Sequence, residues 1–102
     1  MDRVYEFATD KKGEVTKLLE ADPYAADSFA RVGYRIRDGA SLSEDKTKMY
    51  IYISAADDFI KKADERLKAL ATPLKADKEK EIVAKIKAEE EAAESGLGSL
   101  FG

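Results

Sequence analysis

The sequence predicts an α+β fold: a small three-stranded antiparallel sheet with helices on one face, in the order βαββα, plus one more helix at the C-terminal end. Three observations carry that expectation. Residues 34–54 alternate with period two on either side of a polar stretch. Residues 57–70 repeat with helical period, and a short β-branched and aromatic stretch, Val4–Ala8, opens the chain. Strands repeat every second residue and helices about every 3.6, so a change of period marks a change of element.

In Val4–Ala8 the alternation puts Tyr5 and Phe7 on one face and Val4, Glu6 and Ala8 on the other, as a first strand would. Thr9–Gly13 reads as a polar turn. Val15, Leu18 and Leu19 then recur at helical spacing, in a short helix ending near Asp22. Asp22-Pro23 resembles a helix start, because aspartate accepts from free amides and proline has no amide to leave unpaired. That second short helix would carry Tyr24, Phe29 and Val32 and stop at Gly33.

From Tyr34 the period is two. Tyr34, Ile36, Ala40 and Leu42 share one face, with Arg35, Arg37 and Ser41 on the other. After the polar stretch Ser43–Lys46, Met49, Ile51 and Ile53 face one way and Lys48, Tyr50 and Tyr52 the other. Two runs of matched length around a short polar turn make an antiparallel hairpin. Ser54 and Asp57 then stand in capping-box positions ahead of a helix with the stripe Phe59, Ala63, Leu67 and Leu70, and Ile60 at its margin. Asp57–Lys61, Asp58–Lys62 and Asp64–Lys68 add acid-before-base pairs at i,i+4.

Thr72-Pro73 reads as another cap and first helical residue. The stretch Ala76–Glu94 is a long Ala-, Lys- and Glu-rich helix whose apolar stripe, Ile82, Val83 and Ile86, is narrow, so it is expected to pack by only part of its length. Residues 95–102 form an apolar tail spaced by Gly and Ser. The expected division is an α+β domain at 1–72, a charged helix at 73–94 and the tail at 95–102. The element order matches a ferredoxin-like framework lacking its last strand, with an extra C-terminal helix.

Composition narrows the chemistry. At 102 residues, 44% of them hydrophobic, one domain with an ordinary core is expected. The formal charge of −3 is too mild to imply a nucleic-acid or membrane partner for the whole domain. With no Cys and no His, disulfides, thiol nucleophiles, Cys-ligated metals and Ser–His or Cys–His catalysis are excluded within one chain. No cofactor, metal or catalytic residue is therefore expected. The absence of Cys, Asn and Gln beside abundant Lys and Glu is a pattern of thermophile proteins, and genomic base composition produces the same result. Met1–Glu6 has no apolar signal character and no apolar run approaches the roughly 18 residues of a membrane span, so a cytoplasmic protein is expected.

Two surfaces are candidates for binding. The first is the hairpin face bearing Arg35, Arg37, Lys48, Tyr50 and Tyr52. Alternating aromatics and cations suit stacked bases and phosphates of single-stranded RNA. Tyr and Arg are also enriched in protein interfaces, and the same face is expected to lie under the long helix or a second copy of the chain. The second is the tail, with Leu97, Leu100 and Phe101, which orders only where a groove receives it. The acidic run Glu89, Glu90, Glu91 and Glu94 opposes the helix macrodipole and reads either as a solvated end or as a contact for a basic surface. The function expected is a non-catalytic interaction module, as a homodimer or on another protein. An RNA-binding module is the alternative.

Overall fold

The computed structural model describes every residue except 22, 23, 26, 27 and 102, and describes residues 93–101 by their backbone alone. The chain forms an α+β fold around one antiparallel sheet. In order the elements are β1 (Asp2–Ala8), α1 (Lys12–Glu20), α2 (Phe29–Val32), β2 (Arg35–Asp38), β3 (Lys48–Ser54), α3 (Asp57–Leu67), β4 (Thr72–Pro73) and α4 (Ala76–Phe101). The sheet has four strands, not three, in the order β2-β3-β1-β4. Thr72 and Pro73 pair with Glu6 and Tyr5 rather than capping a helix. A proline lacks the amide a central strand needs, and an edge strand is where that lack costs least. The Leu74 amide continues the pairing by donating to the Val4 carbonyl at 3.0 Å.

The central strands carry the alternation that the sequence predicts. β1 and β3 are in register from Asp2–Ser54 to Ala8–Lys48. Tyr5, Phe7, Met49, Ile51 and Ile53 point to the side of α1, α2 and α3, where Val15, Leu19, Phe29, Ile60, Ala63 and Leu67 complete a core. Val4, Tyr50 and Tyr52 point to the opposite side and pack under α4 with Leu42, Ile82 and Ile86. Both faces of β3 are therefore buried, and five of its seven residues are classed as buried. Among the described residues, no helix is long and apolar enough to cross a membrane.

Several local expectations are corrected. β2 stops at Asp38 because Ala40–Leu42 form a 3-10 turn, which swings Leu42 onto the face opposite Ile36. The loop then closes against Gly39: a Cβ there would stand 1.9 Å from the Asp45 carbonyl oxygen, so only glycine fits. α3 begins at Asp57 with Ala56 as its cap and no capping side chain, since Ser54 is paired with Asp2 in the sheet. Asp57 and Asp58 in the first turn favour the helix electrostatically instead. Ile60 lies at the centre of the buried stripe and Phe59 at its margin, edge-on to Phe29 at 5.5 Å. α2 is capped by Ser28, whose hydroxyl accepts from the Arg31 amide. It ends at Gly33, as expected, with φ of 92°. Tyr24 is not in that helix and is 92% exposed, and Asp22-Pro23 lies outside the described residues.

Candidate functional site

The face expected to meet a partner is built by register. Arg35 stands opposite Tyr52, and Tyr52 opposite Val4; Arg37 stands opposite Tyr50, and Tyr50 opposite Glu6. Two rows thus run from a basic edge on β2, through tyrosines on β3, to apolar and acidic residues on β1. Lys48, at the start of β3, is half-buried and opposite Ala8. The sequence-predicted grouping of Arg35, Arg37, Lys48, Tyr50 and Tyr52 on one side of the sheet follows from the period-two geometry.

That face is covered. Tyr50 and Tyr52 are 1% and 3% exposed, beneath α4, so neither is available to a partner in this arrangement. Ile82 and Ile86, one turn apart on α4, are fully buried against them, and Val83 and Leu74 pack at the margin. Burial, reinforced by the Glu6 charge, pushes the Tyr50 phenol up to about 12. Burial and the Asp2 charge raise that of Tyr52.

The two arginines are occupied as well. Arg35 Nε lies 2.5 Å from Glu90 Oε1, and its guanidinium stacks 5.3 Å from the Tyr52 ring centroid. Arg37 donates from Nε to Glu89 at 3.1 Å, from Nη2 to Glu90 at 3.2 Å and from Nη1 to the Ile36 carbonyl at 2.9 Å. Glu89 and Glu90 of the acidic run thus find a basic surface within their own chain. The sequence reading ended this helix at Glu94 and placed the acidic run at its C-terminus, but the backbone of α4 continues through Phe101, so Glu89 and Glu90 lie within the helix and are held by Arg35 and Arg37 instead of opposing a helix end.

A second ionic cluster has no precedent in the sequence reading. Glu44, which follows the 3-10 turn, is 12% exposed in its side chain and accepts from the ammonium groups of both Lys78 and Lys85. These lysines are seven residues apart, two turns along one side of α4, and Glu81 lies between them at 3.7 and 3.4 Å. The hydrogen bonds from Lys78, then Lys85, hold the Glu44 carboxyl below its ordinary range, and Glu44 raises both lysines. Lysines meeting Glu44 in the first half of α4, and carboxylates meeting Arg35 and Arg37 further along, set its direction across the sheet.

On the other side of the sheet, the Tyr5 hydroxyl donates to Asp64 Oδ1 at 2.5 Å, and Arg3 Nε stands 3.6 Å from the same oxygen. Burial, then Asp64, raises the Tyr5 phenol. Among the described residues, no group of three or more His, Cys, Asp or Glu side chains could hold a metal ion. An open groove of about 420 Å³ lies beside Arg35 and Tyr52, lined also by Val32, Gly33, Tyr34 and Ser54. The predicted contacts Leu97, Leu100 and Phe101 fall in residues whose side chains lie outside the described part, although the backbone of α4 runs through Phe101.

Compared with known proteins, the chain matches no family model, no curated protein and no solved structure.

Proposed function

We propose that the chain is a non-catalytic, cytoplasmic protein-interaction module whose α+β domain mounts a C-terminal docking segment. The observation that carries this reading is the cover over the sheet. Tyr50, Tyr52, Arg35 and Arg37, which the sequence offered to a partner, are satisfied within the chain. The contact role then passes to Leu97, Leu100 and Phe101. Among the described side chains Glu90 is the last to reach the sheet, and it does so at β2, an edge strand. A straight helix from there through residue 101 adds about 16 Å at ~1.5 Å per residue. Apolar residues at i, i+3 and i+4 near its end suit the mode in which a helix lies in a partner's groove.

The strand order β2-β3-β1-β4, with helices after β1 and β3, supports a complete ferredoxin-like framework carrying one added helix on its second face. The absence of His and Cys supports the non-catalytic reading. Single-stranded RNA is the weaker reading. It requires α4 to leave, and the bared face would then set Arg35, Arg37 and Lys48 against Asp2, Glu6 and Glu44, a neutral balance that does not favour a polyanion.

The test compares the full chain with one ending at Glu94, in pull-downs from the source lysate and in light scattering. Capture of a protein, or dimerisation, by the full chain alone supports the reading. Identical behaviour of the two forms refutes it, and oligonucleotide retained at low salt by both favours RNA.

A further inference from the structure

Among the described residues, the two hydrophobic cores lie on opposite faces of the sheet. One is built by α1, α2 and α3 on one face, and the other by α4 on the opposite face. Lifting α4 would leave the first core with all of its members. The second core would lose Ile82 and Ile86, the two side chains of α4 that are fully buried in it among the described residues.

Among the described side chains, Val83 packs at the margin of that core, and the other hold on α4 is ionic and sits in two places. Glu44 ties the first half of the helix through Lys78 and Lys85. Arg35 and Arg37 tie the second half through Glu89 and Glu90. These side chains are between 12% and 46% exposed, so solvent ions reach them. The tether to the domain is short: β4 ends at Pro73, α4 starts at Ala76, and the Leu74 amide is bonded to Val4. A released helix therefore stays next to the face it left.

We propose that α4 is an ion-latched strap, which undocks as one unit before the rest of the domain unfolds and whose latch salt weakens. The strap closes over Tyr50, Tyr52, Arg35 and Arg37, so its opening is what decides when that face meets solvent. This inference does not depend on the docking role proposed for the C-terminal segment. Segments held by few buried contacts open at lower free energy than the core, which makes α4 a separate cooperative unit.

The experiment is native-state hydrogen exchange read by mass spectrometry on the full chain, at 20 mM and 500 mM sodium chloride. Amides of residues 78–90 are expected to exchange ahead of those in α3 and β3. The higher salt is expected to raise their opening roughly tenfold, as screening weakens several partly exposed ion pairs. Exchange in α3 should stay within about twofold, since the ion pairs of the latch join α4 to Glu44, Arg35 and Arg37, all outside α3. Glu44→Gln at low salt should reproduce the opening and blunt the salt response. If residues 78–90 exchange together with α3 at both salts, the strap is overturned. An early opening that ignores both salt and Glu44→Gln overturns the latch. Should the variant not fold, the salt series on the unaltered chain decides alone.

Discussion

Removing part of Ile86 tests whether α4 is integral to the domain. Ile86 is fully buried, with Tyr50, Tyr52, Val4 and Leu42 in the same cluster. Ile86→Ala deletes three carbons, about 2.4 kcal/mol at ~0.8 kcal/mol per methylene, before any cavity is counted. The cavity left under a helix that only partly follows brings the expected loss to about 3 kcal/mol, inside the range of ~2–5 kcal/mol for such truncations. For a chain of this length that corresponds to a fall in melting temperature of roughly 12–24 °C. Urea unfolding followed by circular dichroism and by tyrosine fluorescence gives the value, and the chain has no Trp to mask the tyrosines. Lys87→Ala, one residue along on the exposed side of the helix, is the control and should change stability by less than about 0.5 kcal/mol. Where α4 undocks ahead of the core, as proposed above, the loss is capped at its docking free energy and the two probes cease to give one midpoint; the full loss with coincident midpoints would overturn the separate strap. An Ile86→Ala loss under about 1 kcal/mol, with both probes coincident and the control unchanged, would refute the packing of α4 on the sheet.

Two further outcomes follow from particular contacts. Gly39→Ala puts a methyl group on the Asp45 carbonyl, a backbone atom that cannot rotate away, so the β2–β3 loop must open. The expected result is a loss of more than about 2 kcal/mol in urea unfolding, with displaced amide resonances at Glu44 and Lys48, whose backbone groups bond Gly39. Alkaline pH should destabilise the protein through its buried tyrosines. An unfolded chain ionises tyrosine near 10, whereas Tyr50 holds its proton to about 12 and Tyr5 and Tyr52 are also raised. Unfolding then releases protons, so stability is intact below pH 10 and falls as pH rises from 10 through 12. A urea midpoint that does not move between pH 9 and 11 would contradict this.

Much of the secondary structure is written in local sequence, because period and stop signals act over a few residues. The alternation of β1 and β3 assigns Tyr5, Phe7, Ile51 and Ile53 to one side and Val4, Tyr50 and Tyr52 to the other, and the structure keeps that division. Gly33 ends α2 because its φ of 92° strains any other residue. The misreadings share one cause. Thr72-Pro73 has the local chemistry of a helix start, yet becomes β4 because the free edge of β1 offers a ladder that no local signal reveals. Ser54 has the chemistry of a cap but is taken by pairing with Asp2, and Leu42 leaves its predicted face when the 3-10 turn and Gly39 close the loop.

The sequence by itself determined the α+β class, the composition of the basic and aromatic row, and an acidic run without a partner nearby in the chain. Only tertiary structure decided that these last two belong together. Arg35 and Glu90 are fifty-five positions apart, and Glu44 is thirty-four from Lys78 and forty-one from Lys85. A charge pattern gives the sign of the surface it seeks without saying whose surface that is. Whether α4 lies on its own sheet depends on the short link at Leu74 and Lys75 and on Ile82 and Ile86 finding Tyr50 and Tyr52, and those distances exist only in the folded chain.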